Sequence, residues 1–325
     1  MSAHLLHVEG HLEAEPIRKG FGRGLLEAGK RDVNVTAACA DLTASTAMDL
    51  FAKEFPERFV EIGVAEQNLV TVGSGMSAMG KVPFVSSYAA FSPGRNWEQI
   101  RTTIALNERP VKIIGSHAGV SVGPDGATHQ MLEDITLMRV LPNMVVIAPC
   151  DSVEAEKATL AMAADKKWPN YMRLAREATP VFTTAKTPFE IGKAYVFHPG
   201  EDVTLIATGT MTYHALLAAE KLYKDGIDAE VVHVPTIKPL DAETILKSVR
   251  KTGAVVTVEE GQINGALGGA IAELLGEHHP VPLQRIGMQD RFGESGEPNE
   301  LLEFFGLDAK HIRLAAHAVI DRKGK

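Results

Sequence analysis

The chain has 325 residues, of which 45% are hydrophobic and 23% are charged, and it contains two cysteines. This composition excludes a disordered, collagen-like or disulfide-stapled protein. The 33 basic and 41 acidic side chains give a net charge of -8, which makes nucleic acid and anionic membranes poor partners. No apolar run approaches the roughly 18 residues of a membrane span, and no basic start precedes an apolar stretch. We therefore predict a cytoplasmic protein of about two domains.

Helical and strand patterns alternate along the first half of the chain. Short β-branched, apolar runs are separated by stretches with helical periodicity. Because the strands are apolar on both faces, we expect a parallel sheet covered by helices on each side. The predicted helices are 17–28, 65–79, 97–106 and 153–163, and the predicted strands are 33–40, 82–86, 111–115, 144–147 and 171–174.

A second alternation follows a polar, proline-marked segment that has the composition of a linker. Its predicted strands are 203–207, 229–234 and 254–258, and its predicted helices lie near 211–224, 241–250 and 266–276. The predicted fold class is therefore α/β, with two α/β domains. The predicted boundaries are an N-terminal extension at 1–15, a first domain at 16–178, a linker at 179–190 and a second domain at 191–325.

The cysteines and histidines form no metal-binding pattern. Cys39 lies in an apolar run and Cys150 follows an Ala-Pro pair, so we predict two buried, reduced thiols. Their separation matches no metal-ligand motif, and the chain has no H-x-x-x-H, H-E-x-x-H or calcium-loop spacing. The sequence therefore predicts no dedicated metal site on this chain.

Three phrases of the first domain contain polar residues that packing alone does not explain. They are residues 61–69 (EIGVAEQNL), 87–91 (SYAAF) and 123–130 (GPDGATHQ). Each has an ordinary alternative: Glu66 as a first-turn glutamate favoured by the helix dipole, the aromatic residues as core packing, and Asp125 as the cap of a glycine turn. Residue type alone leaves both interpretations open.

Together these phrases resemble the pyrimidine-binding domain of thiamine diphosphate enzymes, and specifically of the transketolase family. Residues 235–241 (PTIKPLD), 258–261 (VEEG) and 291–298 (RFGESGEP) resemble the C-terminal domain of that family. The resemblance extends through nearly the whole chain, with the phrases in the family's order. It implies a thiamine diphosphate pyrimidine-binding fold followed by a smaller transketolase C-terminal domain.

The resemblance implies a cofactor site in the first domain. Glu66 would act as a catalytic residue by hydrogen-bonding N1' of the aminopyrimidine, which needs a carboxyl group held out of water. That environment would come from its apolar neighbours Val64, Ala65, Leu69 and Val70. Phe91 would stack on the pyrimidine, and Tyr88 and Asp41 would also line the cofactor. For Asp41, an N-cap of the following helix is an alternative that does not exclude this role.

The resemblance also implies a substrate site beside the cofactor. His129 would contact the oxygens of the donor sugar and take part in catalysis, while Asp125 would accept a hydrogen bond from a substrate hydroxyl. Arginine, serine and histidine donors suit a phosphate dianion. The residues matching the family's grip on a sugar phosphate are Arg18, Ser45, His117 and Arg176.

Half of the implied site is missing from this sequence. The family holds the cofactor's diphosphate through Mg²⁺ or Ca²⁺ bound at a Gly-Asp-Gly motif, and no Gly-Asp-Gly occurs here. The resemblance therefore implies an N-terminal transketolase subunit as partner, in an assembly of two copies of each chain with self-association of this one. The chain would be one half of a split transketolase.

The implied activity is transfer of a two-carbon ketol unit from a ketose phosphate to an aldose phosphate by means of thiamine diphosphate. Alternatives are a subunit of the deoxyxylulose-phosphate synthase type, a 2-oxo-acid dehydrogenase β-type subunit, and a non-catalytic binding paralogue. The phosphate-binding set and the Phe-Gly-Glu-Ser-Gly tail disfavour the first two alternatives. The joint presence of Glu66, Asp125 and His129 disfavours the third.

Overall fold

The computed structural model describes residues 6, 10 and 12–323. Most of the predicted extension, at 1–15, lies outside the described residues, although the strand β1 (Ala14–Pro16) stands at its end. Across the described residues, no helix combines the length and apolar character needed to cross a bilayer.

A seven-stranded sheet forms the centre of the first half of the chain, with the strand order β12-β6-β7-β5-β4-β2-β3. The strands are parallel except for β12, which pairs antiparallel with β6. The elements up to β8 are α1 (Ile17–Arg31), β2 (Val35–Cys39), α2 (Asp49–Glu54), β3 (Phe59–Glu61), α3 (Glu66–Ala78), β4 (Val82–Tyr88), α4 (Trp97–Gln99, continued by a π-helical segment Ile100–Ala105), β5 (Lys112–Ser116), α5 (Asp134–Arg139), β6 (Val145–Ile147), α6 (Ser152–Ala164), β7 (Asn170–Arg173) and β8 (Ala178–Pro180).

Alternate residues of these strands point to opposite faces of the sheet, and each face is covered by helices. On β4, Phe84 packs with α1 and α6, whereas Val85 packs with α3 and α4. The strands are buried along most of their length because both faces are covered. The predicted two-sided parallel sheet and all of its predicted strands and helices are confirmed.

Small residues let α1 approach α6 closely. A Cβ atom at Gly20 would lie 1.8 Å from the carbonyl oxygen of Ser152, and one at Gly24 would lie 2.7 Å from Cβ of Thr159. Ile17, Phe21 and Leu25, on another face of α1, are buried. The helix therefore packs its apolar side chains into the core while its glycines contact its neighbour.

A five-stranded sheet with the order β14-β13-β10-β11-β9 organises the second half of the chain. It is parallel except for β9, which is antiparallel to β11. All predicted elements here are also confirmed. The bounds are β9 (Tyr195–His198), β10 (Val203–Ala207), α7 (Met211–Lys224), β11 (Ala229–His233), β12 (Thr236–Lys238), α8 (Ala242–Thr252), β13 (Val255–Gln262), α9 (Leu267–His278), β14 (Leu283–Met288), α10 (Pro298–Phe304) and α11 (Ala309–Ile320).

The two domains share part of their core. One apolar cluster contains Val146 and Met138 of the first domain together with Ile206, Val232 and other residues of the second. The strand β12, which follows β11 of the second sheet, pairs with the first sheet. The domains are therefore joined by core packing as well as by chain connection.

The predicted linker, 179–190, begins inside a strand. β8 pairs antiparallel with β1, and Phe182 is fully buried in the segment that follows. The carboxylate of Asp151 accepts hydrogen bonds from the backbone N–H groups of Phe182 and Thr183 at 3.0 and 2.6 Å. The polar composition of this segment thus reflects buried hydrogen bonding rather than a loose connection.

Several short elements were not predicted from the sequence. The strands β3, β8 and β12 have three residues each, too few for an alternating pattern to stand out. The helices α10 and α11 at the end of the chain were also missed. Cys39 and Cys150 are both buried and unpaired, as predicted.

Candidate active site

The predicted site residues come together because most of them follow the carboxyl ends of parallel strands. These ends lie at one edge of the sheet, where open α/β sheets form their ligand-binding crevices. The residues that stand at or after the ends of β2, β3, β4, β5 and β7 are Asp41, Glu66, Tyr88, His117 and Arg176.

Glu66 is the first residue of α3 and its side chain is 2% exposed. Its Oε2 accepts a hydrogen bond from Arg95 at 2.8 Å, and its Oε1 accepts a longer one from Ser87 Oγ at 3.4 Å. The side-chain amide of Asn96 donates to the Glu66 carbonyl oxygen at 2.8 Å. Of the predicted apolar neighbours, Val64 does not shield the carboxylate, because its side chain is 72% exposed, whereas Leu69 and Val70 are buried. The groups that contact the carboxylate are Arg95 and Ser87, near the end of β4.

Arg95 links the carboxylate to the predicted stacking residue. Its guanidinium carbon lies 4.8 Å from the centroid of the Phe91 ring while one nitrogen contacts Glu66. A flat nitrogen-bearing group is thus accommodated between an aromatic face and a carboxylate. Arg95 was not predicted as a site residue, although its position four residues after Phe91 was a signal that the two side chains lie near each other.

Four rings form one aromatic cluster beside Glu66. Tyr88 stacks on His117 with centroids 4.0 Å apart, and Phe91 meets His129 edge-on at 5.4 Å. Tyr88 and Phe91 are 6.4 Å apart, and all four rings are buried or half-buried. The cluster connects the predicted cofactor residues to the predicted substrate residues.

Asp125 and His129 lie in the loop between β5 and α5. Residues Val120–Asp125 form a short, kinked 3-10 segment, and the Asp125 side chain is 36% exposed. His129 Nδ1 is 2.9 Å from the Thr128 hydroxyl, which orients the ring. Asp125 Oδ1 lies 3.9 Å from an Arg176 nitrogen, so the loop carboxylate is already beside a cation. Both residues lie at the same open edge as the aromatic cluster.

Three of the four predicted phosphate-binding residues are neighbours. Arg18 donates to the backbone carbonyl of Arg176, and Arg176 donates to the Val122 carbonyl at 2.6 Å. Burial lowers the pKa of Arg18, with an opposing effect of Glu177 and a further lowering by Arg176. The Arg176 guanidinium also lies 3.9 Å from the Asp125 carboxylate and 3.6 Å from that of Glu177. The two arginines are therefore neighbouring cations at this edge, a setting that favours binding of an anion.

His117 lies beside these two cations, and its own ring is neutral. Burial, followed by the charges of Arg18, Arg176 and His129, lowers the pKa of His117 to about 3. The Ser116 hydroxyl lies 2.8 Å from His117 Nδ1. The remaining nitrogen is thereby available as a donor to an anion.

Ser45 is not joined to this group. It is half-buried in the turn after β2, and within the described part of the chain no hydrogen bond connects it to Arg18, His117 or Arg176. Its predicted phosphate contact therefore has no support from neighbouring groups in this structure.

Asp41 lies at the same edge as the cluster, in the left-handed region with φ of 58°. Its backbone N–H donates to Glu61 Oε1 at 2.6 Å. Its alternative role as a helix N-cap is wrong, because α2 begins only at Asp49. Its exposed carboxylate remains free to line a ligand site.

One set of metal-type ligands lies together in the described part of the chain, away from this edge. Ligand atoms of Cys150, Glu154 and His233 lie within 4.8 Å of one another. Glu154 Oε2 contacts His233 Nε2 at 2.8 Å and accepts from the Cys150 N–H at 2.7 Å. Because His233 is 79 residues from Glu154, spacing could not reveal this cluster, which joins the two domains.

Two family models match the chain. Residues 14–181 match the transketolase pyrimidine-binding domain, and residues 192–312 match the transketolase C-terminal domain. These matches cover the two sheets described above.

Two relatives of the chain match it over nearly their whole length. A protein of Methanocaldococcus jannaschii named as a transketolase C-terminal section is 47% identical over 91% of this chain and 93% of its own. The 6-deoxy-6-sulfo-D-fructose transketolase subunit SqwH of Clostridium sp. strain MSTE9 is 42% identical over 97% of this chain and 98% of its own.

A solved structure is similar over almost the same extent. It is a split-gene transketolase described as an inactive β4 tetramer, with a TM-score of 0.89, 42% sequence identity, and coverage of 95% of this chain and 99% of that one. The chain therefore belongs to the transketolase family, and its pyrimidine-binding domain implies dependence on thiamine diphosphate.

Proposed function

We propose that this chain is one half of a split transketolase and carries its catalytic carboxylate. The enzyme would transfer a two-carbon ketol unit from a ketose phosphate to an aldose phosphate. The relatives named as a C-terminal section and as a transketolase subunit support a division of the enzyme between two polypeptides. The partner would carry the Gly-Asp-Gly motif and bind the diphosphate through Mg²⁺ or Ca²⁺. In this division, neither chain holds a complete cofactor site.

The arrangement of Glu66 beside Phe91 is the observation that carries this proposal. A carboxylate that is 2% exposed sits next to an aromatic face that already accepts a planar guanidinium at 4.8 Å. These residues fit the aminopyrimidine end of thiamine diphosphate, which when bound supplies a carbon nucleophile and an electron sink. Glu66 would hold a proton at the pyrimidine N1' atom, while Tyr88, Phe91 and Asp41 orient the ring and limit access of water.

The loop between β5 and α5 would bind the reacting end of the sugar. Asp125 accepts a hydrogen bond from a hydroxyl near the reacting carbon, and His129 donates to or accepts from the donor-sugar oxygens. His129 meets Phe91 edge-on at 5.4 Å, so a sugar bound there lies next to the cofactor. A non-catalytic binding paralogue would have no need to hold a sugar next to the cofactor.

The far end of the substrate would be a tetrahedral oxyanion, and we assign a phosphate. The hydrogen-bond donors for it would be the cations Arg18 and Arg176 together with the neutral ring of His117. Ser45 is included because of its position in the sequence. One relative is named for a sulfonated fructose, whose acidic group has a similar shape. The same donors could serve either acid, so the identity of the sugar is a separate question from the reaction.

The assembly proposed for the active enzyme contains two copies of each chain, with self-association through this one. The solved relative described as a β4 tetramer supports self-association and inactivity without a partner. We place the enzyme in the cytoplasm, with no role in binding nucleic acid or membranes.

The test is Glu66→Ala in the enzyme reconstituted from this chain and its N-terminal partner. Loss of a positioned acid or base should lower kcat by at least about 100-fold, while sedimentation shows an unchanged assembly. Glu98→Ala, which removes an exposed glutamate on α4, is the matched control and should retain wild-type turnover. A Glu66→Ala enzyme with activity close to that of Glu98→Ala would overturn the proposed function.

A further inference from the structure

The loop that carries Asp125 and His129 is attached to both domains. In the first domain, the Ala118 and Gly119 N–H groups donate to Leu174 and Met131 carbonyl oxygens at 3.1 and 2.8 Å. Those bonds fix only the start of the loop. Residues 120–125 also pack against α10 of the second domain.

Glu260, near the end of β13, makes the central contact from the second domain. Its Oε1 accepts a hydrogen bond from the Ser121 N–H at 2.7 Å, and its Oε2 accepts one from Thr210 Oγ1 at 3.2 Å. Glu260 is 6% exposed and Ser121 is 7% exposed. A buried backbone N–H without a partner is costly, so this carboxylate determines which loop conformation is stable.

The loop backbone approaches Glu260 as closely as sterics allow. Gly119 has φ of 92°, in the left-handed region, and a Cβ atom there would lie 2.3 Å from Glu260 Oε1. Only glycine satisfies both conditions at this position. The loop is thus shaped to receive the carboxylate.

Arg173 holds Glu260 in place from the first domain. Its guanidinium donates to the Glu260 carbonyl oxygen and, at 3.1 Å, to Asp134 Oδ1. Burial alone would lower the pKa of Arg173, but the negative charges of Asp134 and Glu260 outweigh it and raise the pKa. Glu260 therefore has a fixed position and a compensating charge.

A second hydrogen-bonded contact joins the other end of the loop to the Phe-Gly-Glu-Ser-Gly segment of the second domain. The Gln130 amide donates to the Glu294 carbonyl at 2.9 Å, and also to the Val120 and Gly123 carbonyls at 3.1 and 3.2 Å. Asp125 and His129 lie between the Ser121 and Gln130 contacts along the chain. The Val-Glu-Glu-Gly and Phe-Gly-Glu-Ser-Gly phrases of the second domain thus both contact the loop.

We propose that Glu260 is a positioning residue through which the C-terminal domain sets the conformation of the substrate loop, residues 117–130. In this proposal it acts on Asp125 and His129 through its hydrogen bond to the Ser121 backbone rather than by contact with cofactor or substrate. The consequence for the sugar rests on the proposed function, whereas the effect on the loop does not.

Hydrogen exchange of the full chain tests the effect on the loop without any assay of activity. Glu260→Ala should speed exchange of the amides at 119–123 by about ten- to a hundredfold, as expected for loss of a hydrogen bond to a charged group. Glu260→Asp retains the charge beside Arg173 but is one methylene too short, and should speed exchange as well. Glu260→Gln keeps an acceptor of the same reach, and should restore much of the protection.

Glu259→Ala is the matched control on the same strand. Glu259 is 1% exposed and accepts hydrogen bonds from the Leu267 and Gly268 N–H groups of α9 at 2.8 and 2.7 Å. Its removal should weaken the second domain and leave exchange at 119–123 unchanged. The proposal would be overturned if Glu259→Ala sped amide exchange at 119–123 as much as Glu260→Ala does. It would also be overturned if neither Glu260→Ala nor Glu260→Asp sped that exchange.

Kinetics of the reconstituted enzyme provide the second readout. Glu260→Asp should raise the KM for the sugar donor by about tenfold. It should raise the concentration of thiamine diphosphate for half-maximal activity by much less, because Glu66 and Phe91 lie outside the loop and contact it only through ring packing. A general loss of folded enzyme would lower kcat and leave the donor KM unchanged. That result, combined with normal exchange in the loop, would contradict a positioning role.

Discussion

The carboxyl edges of the two sheets differ in what their polar side chains contact. In the first domain, Glu66 and His117 are buried, but Asp125 and Arg176 are 36% and 32% exposed and lie 3.9 Å apart, beside a cluster of rings at an open edge. In the second domain, His233 is the last residue of β11, Glu259 and Glu260 lie near the end of β13, and each is at most 6% exposed. Their partners are other protein groups: Glu154, the N-terminus of α9 and the Ser121 N–H.

The difference shows that strand-end geometry creates a place for polar groups, while the surrounding contacts determine their use. Where another domain covers the edge, the polar residues there form hydrogen bonds with other protein groups, because buried polar groups need partners. An edge left open keeps donors and acceptors for a ligand. Substitutions at the closed edge should therefore affect stability and loop conformation, and those at the open edge should affect catalysis and substrate binding.

The largest stability effect is expected from His233→Leu at the closed edge. Burial would raise the pKa of Glu154, but the interaction with His233 outweighs it and holds that pKa below its ordinary value. Removing His233 leaves a buried carboxylate without its partner, which should reduce the free energy of unfolding by about 3–5 kcal/mol. Urea unfolding at neutral pH measures this change.

His198→Leu is the control, since His198 is exposed on the neighbouring strand β9. It should change the free energy of unfolding by no more than about 0.5 kcal/mol. Folded His233→Leu enzyme should retain the wild-type donor KM. A His233→Leu variant that is fully stable but catalytically impaired would place this cluster in the functional machinery.

A smaller and selective effect is expected from Arg176→Ala and His117→Ala at the open edge. Each removes one donor to the proposed phosphate, and should raise the KM for phosphorylated donors about ten- to a hundredfold. Hydroxypyruvate has no phosphate, so its KM should hardly change. Steady-state kinetics of the reconstituted enzyme with both donors make the comparison.

Lys19→Ala removes an exposed cation next to Arg18 and should alter neither KM. Arg176 also donates to the Val122 carbonyl and lies beside the Asp125 carboxylate, so its loss removes contacts to the loop as well. Equal losses with the two donors would mean that these residues support the loop rather than bind phosphate.

The smallest effect is a pH dependence that arises from His117. Its pKa is lowered to about 3 in the folded chain, chiefly by burial, whereas an unfolded histidine titrates near 6.5. The unfolded chain therefore binds more protons between these values, and the stabilising effect of neutral His117 is present above pH ~6.5 and lost as the pH falls toward 3. Between pH 6.5 and 5 the loss should be about 1–2 kcal/mol.

Urea unfolding of wild type and His117→Asn across this range provides the measurement. The wild-type chain should lose more stability on acidification than the variant, which has no titrating ring at this position. Parallel curves for the two proteins would show that His117 is protonated in the folded state well above pH 3.

The sequence predicted both sheets and the convergence of Glu66, Tyr88, Phe91, His117 and His129. That success has a physical reason: the ends of neighbouring parallel strands meet at one edge, so motifs far apart in the chain become neighbours once the strands are recognised. Such reasoning places the backbone positions of a site and leaves the rotamers open.

What could not be predicted depends on side-chain rotamers and on contacts between distant segments. Arg95 reaches Glu66 through its rotamer, and Val64 points to solvent although it is two residues from a buried carboxylate. Glu260 and Ser121 are 139 residues apart, with no shared pattern to connect them. For Ser45 the resemblance remains the sole basis of the assignment, because no hydrogen bond among the described residues links it to Arg18, His117 or Arg176.

Ketol transfer by the purified chain, with and without an N-terminal transketolase subunit carrying the Gly-Asp-Gly motif, tests most directly whether this chain is half of an enzyme. Both reactions contain thiamine diphosphate, magnesium, a ketose phosphate and an aldose phosphate. The chain alone should show no turnover above background, and activity should appear on mixing and reach its maximum when the two chains are equimolar. Robust turnover by the chain alone would contradict the division of the site between two polypeptides.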